Sequence, residues 1–332
     1  MILNNISVAR NAARGATMAA SHNDIPIVTV GRGSCIENMS VRCGLPVNLH
    51  IGQFCTLAGD ITFMLQVGRD CSRVTTSDDQ LVALLPGAIL NAPRTIKGQI
   101  ILQNDVWVGH GATVMGGVLV GNGAVVAVNS HVVRDVPPYA IVGGNPARII
   151  KYRFTEEQIA DMQDIAWWDW RDAVLADRKP DFALPIQEFI DKYRPERPRG
   201  RGPARDTDLR RILLVPDFGS ASPLWERVIE QYCDRCRQGS VPGQLYIYLP
   251  EDEKTDQNLE RLQALLKEFY DGDGDIYVQV GQIADESELF EAADCYVTTR
   301  EEKTVYHSCL ACRFGVKILS GADMPCAFGE LT

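Results

Sequence analysis

The residues of this 332-residue chain whose types suit chemistry are five histidines, two cysteine pairs and a run of arginines. Imidazole, at His22, His50, His110, His131 and His307, is the side chain best suited to move protons near neutral pH. Cys233-x-x-Cys236 and Cys309-x-x-Cys312 have the internal spacing of zinc-binding pairs. However, 72 residues lie between Cys236 and Cys309 (309 − 236 − 1), and both pairs fall in helical patterns. Structural zinc sites close shorter loops from tight turns, so these read as buried helix cysteines and no metal is expected. The arginine run is Tyr193–Asp208, with five arginines, three prolines and two glycines. No aromatics interleave there, which predicts a solvated linker rather than a nucleic-acid groove.

The elements that must position these residues belong to a globular chain. Hydrophobic residues make 45% and charged residues 23%, an ordinary balance for two domains. A formal charge of −10 disfavours phosphate-backbone binding, so no nucleic-acid partner is expected. No apolar run approaches the ~18 residues that cross a bilayer, so no membrane span is expected either. The first 23 residues contain Arg10 and Arg14, no acid and no secretory apolar core, and read as part of the fold or a loose tail. Ten cysteines are too sparse for a disulfide scaffold, and a reducing cytoplasm is the expected location.

An internal period settles the first half. An aliphatic recurs at every sixth position: Ile96, Leu102, Val108, Val114, Val120, Val126 and Val132. Four residues after each comes a small or aliphatic partner: Ile100, Val106, Ala112, Val118, Ala124, Ser130 and Val136. Neither an α-helix nor a lone alternating strand has a period of six. A coil with three short flat sides does, with its aliphatics stacked inside a prism and Gly or Asn at corners that need positive φ. Fainter coils run from Val30-Gly31 and Ile51-Gly52. The repeat fails between Met64 and Pro93, which predicts an excursion loop of the kind that carries function in repeat proteins. His50 and His110 adjoin outward-facing coil positions, as a base in a subunit cleft or as ordinary surface residues. Thr155 and Gln158 form a capping-box pattern opening a helical stretch from Thr155 to Leu175. Its Trp167-Trp168-Asp169-Trp170 cluster reads as a lid on an open core end.

The motifs Val30-Gly31-Arg32, Ile51-Gly52-Gln53-Phe54-Cys55, Asn104-Asp105-Val106-Trp107-Val108-Gly109 and Gly143-Gly144-Asn145-Pro146-Ala147 resemble the hexapeptide-repeat acyltransferases. With Lys151-Tyr152-Arg153-Phe154 and the tryptophan cluster, the resemblance points to the xenobiotic (streptogramin and chloramphenicol) acetyltransferase branch and covers roughly residues 25–175. It implies a left-handed parallel β-helix, a homotrimer and acetyl-coenzyme A as co-substrate near subunit interfaces. It also implies a basic loop His after a Met-Leu-Gly stretch. Here Met64-Leu65-Gln66-Val67-Gly68-Arg69-Asp70 and Val74-Thr75-Thr76 match the flanks, and Arg69 stands where His is expected.

Arginine cannot serve as a general base. Losing a base costs about 10²–10⁴ in rate, which leaves transfer feasible to an amine bound neutral. Arg69 would then stabilise an oxyanion or hold an anionic group of the acceptor. Asp70 beside it is a poor base unless desolvated, and His50 is a further candidate. On the cofactor side the resemblance implies Trp107, Gly109, Gly116 and Gly117 along the coenzyme, with Arg148, Lys151 and Arg153 towards its phosphates. The competing reading is coil corners and a solvated edge, and for Trp107 the cover of a neighbouring subunit.

Beyond the linker, strand and helix patterns alternate from Arg211 to Ser320, which predicts a small doubly wound, Rossmann-like α/β sheet. Ligands in such sheets sit beyond the strands' carboxyl ends, so Asp217–Ser222, Gly281–Gln282 and Thr299–Thr304 are the loops of interest. Ala292-Ala293-Asp294 through Thr299-Arg300-Glu301-Glu302 resembles the nucleotide-sugar half of a GT-B glycosyltransferase. The expected organisation is therefore a β-helix over 1–154, a helical extension over 155–192, a linker over 193–208 and an α/β domain over 209–332. The expected function is direct acyl transfer in a ternary complex to a hydroxyl or amine of a sugar or glycan precursor. The alternative is a catalytically silent trimeric scaffold presenting α/β sugar- or partner-binding modules.

Overall fold

Aliphatic side chains at every sixth position stack in columns because the chain turns three times per coil. The computed structural model describes residues 4–9, 17–19, 26–43, 48–65, 98–195, 210–220, 223–240, 242–270, 272, 275–281, 283, 285–301, 303–323, 326–328 and 331. The first side of the prism carries β3 (Pro26–Val30), β6 (Leu49–Ile51), β9 (Ile100–Leu102) and β12 (Leu119–Val120), with β2 (Thr17–Ala19) antiparallel at the β3 edge. The second carries β4 (Cys35–Ile36), β7 (Thr56–Leu57), β10 (Trp107–Val108), β13 (Val125–Val126) and β15 (Ala140–Gly144). The third carries β5 (Asn38–Cys43), β8 (Ile61–Met64), β11 (Thr113–Met115) and β14 (His131–Val132), with β1 (Asn4–Ala9) antiparallel to β5. Successive coils pair in parallel, and β16 (Ala147–Tyr152) turns back antiparallel on β15.

Leu102, Val108, Val114, Val120, Val126 and Val132 are all buried in one core with Ile100, Val106, Ala112, Val118, Ala124 and Val136. Ser130 is buried too, while Ile96 lies outside the described residues. The corners explain the glycines and asparagines. One or two residues before each second-side strand the backbone is left-handed, at Gly33, Phe54, Asp105, Gly123 and Tyr139. Asp60, Gly111 and Asn129 repeat this before the third side. From Asp105 to Gly123, and from Gly111 to Asn129, the spacing is one 18-residue coil (123 − 105; 129 − 111). Phe54 to Asp105 spans 51, so 33 extra residues (51 − 18) enter there. This is the expected excursion; its residues 66–97, with Arg69 and Asp70, lie outside the described residues.

The prism's open end is closed by α1 (Glu156–Ile165), a 3₁₀ turn at Trp167–Asp169, α2 (Asp172–Arg178) and α3 (Ile186–Tyr193). Both halves of the Thr155–Gln158 capping box form. The single helix expected from Thr155 to Leu175 is instead broken at Ala166, which is left-handed at φ 43°. That break lets Trp168 bury completely while Trp167 packs on Phe54, ring centroids 5.0 Å apart. Arg32 pins the turn, donating to the Trp168 and Trp170 carbonyls at 2.6 Å each. Beneath, Tyr139 packs with Met162, Ile165, Phe189 and Ile190.

The second unit is a five-stranded parallel sheet of β17 (Arg211–Leu214), β18 (Gln244–Leu249), β19 (Ile276–Val280), β20 (Cys295–Thr298) and β21 (Lys317–Ser320). Their order is β19-β18-β17-β20-β21, so the winding reverses between β17 and β20. The helices α4 (Trp225–Arg237) and α5 (Thr255–Phe269) are on one face. On the other are α6 (Ser287–Glu291) and α7 (Lys303–Phe314). Among the described residues no helix is long and apolar enough to cross a membrane.

Candidate functional site

Among the described residues, the outward positions of the second side are more exposed than those of the other two sides. In a strand, side chains alternate between faces. Since Ile36, Leu57, Val108, Val126 and Val142 point inward, their neighbours point out. Register aligns those neighbours in one continuous row: Cys35, Thr56, Trp107, Val125, Ile141 and Lys151. Five inter-strand steps give a row about 24 Å long. Trp107 stands 53% exposed at its middle, and exposed Arg148 and Lys151 lie at the β16 end. Ile149 and Ile150 on β16 and Val128 are exposed nearby, making an apolar surface with a basic margin.

At the adjoining corner His110 follows Trp107 by three residues. Its Nε2 lies 3.5 Å from an Asp60 carboxylate oxygen, and both side chains are more than half exposed. Asp60 is fixed in turn, since its backbone N–H donates to Asn38 Oδ1. The arrangement gives an accessible imidazole and a carboxylate to orient it. The sequence shows the histidine but not its partner, because His110 and Asp60 meet only through stacking of successive coils across the insertion. His131 faces outward on the third side, opposite Thr113.

The glycines serve the prism itself. A Cβ on Gly109 would lie 2.7 Å from the Val128 nitrogen, so glycine is needed for coils to stack there. The amides of Gly116 and Gly117 already donate to the carbonyls of Met64 and Gln99, at 2.9 and 2.8 Å. Gly117 also needs its left-handed φ of 81°. Arg153 is likewise engaged. It pairs with Asp105 at 3.1 Å, donates to the Gly123 carbonyl at 2.7 Å, and lies over the Tyr139 and Phe154 rings.

His50 corrects an expectation. It does project outward from the prism between Leu49 and Ile51, but it is fully buried rather than facing a cleft. The second unit covers the first side of the prism, and the outward positions Thr29, His50 and Ile101 are all buried. Burial, with the nearby Arg300 cation adding to it, lowers the His50 pKa to about 4. The cysteines also have packing roles. Cys233 and Cys236 are in the α4 core, and Cys309 and Cys312 on α7 contact Asn122 and Gln103 of the prism. Among the described residues no group of three or more metal-binding side chains converges.

No protein-family model matches the chain. It is 49% identical over 131 residues to a chloramphenicol acetyltransferase of Escherichia coli, spanning 37% of this chain and 60% of that protein. A hexapeptide-repeat containing acetyltransferase of Vibrio cholerae O1 biovar eltor, solved with acetyl coenzyme A, matches 39% of this chain and 62% of its own. That structural match has 28% identity and a TM-score of 0.30. A probable macrolide acetyltransferase of Lysinibacillus sphaericus is 34% identical over 152 residues, which are 44% of this chain and 83% of that protein. On this relative, matched across most of its length, the chain belongs to the hexapeptide-repeat acetyltransferase family, with chloramphenicol and macrolide acetyltransferase homologues.

Proposed function

We propose that the prism unit transfers an acetyl group from acetyl-coenzyme A to a hydroxyl or amine. The observation that carries this is family membership across the prism, joined to an open row on the second side that ends in basic groups. An extended thioester with a phosphorylated end suits that row: Arg148 and Lys151 answer the phosphates, and Val125 and Ile141 the apolar arm. The committed amides of Gly116 and Gly117 and the paired Arg153 contribute less than their motifs imply. Transfer is direct within a ternary complex, without a covalent acyl-enzyme; Cys55, buried with its thiol pushed up to about 12, is no nucleophile. His110, oriented by Asp60, takes the acceptor's proton. Arg69 and Asp70 keep the roles of oxyanion donor and neighbour. The left-handed coil, a homotrimer, a cytoplasmic setting and a sugar or glycan-precursor acceptor belong to this reading. The last of these rests on the Rossmann-like, glycosyltransferase-like pattern of the second unit.

Calorimetric titration with acetyl-coenzyme A and coenzyme A, followed by thiol-release assays, tests the reading. Binding is expected at sub-millimolar ligand, and His110→Asn is expected to lower kcat by about 10²–10⁴ with KM little changed. The second reading is a silent trimeric scaffold, which the commitment of Gly116, Gly117 and Arg153 to the prism favours. Undetectable heat with either ligand at millimolar concentration would establish that scaffold reading instead.

A further inference from the structure

A sheet wound in the order β19-β18-β17-β20-β21 ordinarily takes a nucleotide at the crevice between β17 and β20, with phosphate on the first helix's N-terminal amides. The residues present do not fit that group. Asp217, at the end of β17, is fully buried, and its carboxylate takes the position of the phosphate. It accepts from the backbone N–H of Leu224 at 3.0 Å, Trp225 at 3.1 Å and, across the crevice, Arg300 at 3.1 Å. The next loop amide, Gly219 N–H, donates to Glu301 Oε1 at 3.3 Å. The donors a phosphate needs are therefore already satisfied by carboxylates of the same chain. A further anion there would have to displace the Asp217 carboxylate, which already faces the Arg300 cation.

The outer rim of the crevice is closed by the prism. Gln99 Nε2 donates to the Thr299 carbonyl at 2.7 Å and to Asn48 Oδ1 at 3.0 Å, while the Thr298 hydroxyl donates to Gln99 Oε1. The Thr299 carbonyl only accepts, which orients the Gln99 and Asn48 amides. The Asn48 amide nitrogen then faces His50 Nε2, at 2.5 Å, while His50 Nδ1 lies 2.6 Å from the Thr29 hydroxyl. Gly98 N–H donates to Asp323 at 2.7 Å, and a Cβ on Gly98 would lie 2.5 Å from that of Ala322. Along α7, Gln103 Nε2 reaches Ser308 Oγ at 3.1 Å and Asn104 Nδ2 reaches Cys309 Sγ at 3.3 Å. Arg313 pairs with Asp164 of α1 at 2.7 Å.

We infer that the strand-end edge of the second unit is not a nucleotide site but a docking edge, whose partner is the first side of the prism in the same chain. Polar side chains of the prism are bonded to the second unit along it, so the two units form one body, whether or not the prism transfers acetyl groups.

Cysteine labelling of the full chain tests this. Cys35 is exposed on the prism, whereas the Cys309 and Cys312 thiols contact the prism across the interface. Maleimide is expected to label Cys35 readily, and to label Cys309 and Cys312 at least about a hundredfold more slowly than in the urea-unfolded chain. Gln99→Glu sets a carboxylate against the Thr299 carbonyl and is expected to raise labelling at both cysteines about tenfold or more. Thr298→Val, a milder change, is expected to raise it less. UDP and UDP-glucose are expected to give no calorimetric signal at millimolar concentration. Labelling of Cys309 and Cys312 at unfolded-chain rates, or nucleotide binding with a Kd below about 1 mM, would overturn the inference.

Discussion

His50 is held neutral chiefly by its burial beneath the second unit. Asn48 faces its Nε2 and the Thr29 hydroxyl its Nδ1, and a hydrogen bond with the Thr299 backbone favours the charged ring without offsetting the burial. Burial first, then the Arg300 cation, lowers its pKa from 6.5 to about 4. In the unfolded chain the group protonates near 6.5, so this stability is complete above that pH and is lost as pH falls from 6.5 to about 4. The full span corresponds to roughly 3 kcal/mol. His50→Gln is expected to remove most of that slope, read as the difference in urea midpoint from the parent chain between pH 7 and pH 4.5. Asp169 runs the other way, because burial raises its carboxyl to about 6 and its contribution is lost as pH rises from 3.8 to 6. The comparison with the variant isolates the histidine. None of this is legible in sequence. An outward coil position says that His50 leaves the prism, but not that another part of the chain will cover it.

At the scale of elements, the coil is legible because its period is one-dimensional: an aliphatic every sixth residue, with left-handed corners just before the strands of the second and third sides. Steric demand enforces those corners. A Cβ on Gly52 would lie 2.6 Å from the Gln103 carbonyl oxygen of the next coil, a backbone atom that cannot swing aside. Gly52→Ala is expected to cost about 1–3 kcal/mol in urea unfolding. Gly239→Ala, with nothing within 4 Å but a φ of 76°, is expected to cost only the backbone strain of about 1 kcal/mol. The strand and helix alternation of the second unit was likewise readable, with β18 at Gln244–Leu249 as expected. The break at Ala166 was not, since neither Gly nor Pro marks it. There the burial of Trp168 and the Arg32 bonds to the turn's carbonyls outweigh local propensity.

Across the whole molecule the first and second sides of the prism have separate uses. The first is buried under the second unit, the corner it shares with the second side lies under the helical extension, and the second side presents Trp107 with Ile149 and Ile150 beyond it. Isolated exposed aliphatics are ordinary, but this grouping beside an organised row suits contact with further copies of the chain. Sedimentation equilibrium is expected to give three times the 36.7 kDa chain mass, and Ile150→Asp to lower it; an unchanged mass for that variant would remove β16 from the assembly surface.

The hairpin return of β16 carries a last consequence. A stack of coils is an open-ended template, since its terminal rung offers unpaired amides and carbonyls in the register needed to recruit another chain. Reversing direction at Gly143–Ala147 and folding aromatic helices over Tyr139 replaces that invitation with a surface of the wrong polarity and shape. Growth along the solenoid axis is therefore obstructed at this end of the stack by the chain itself.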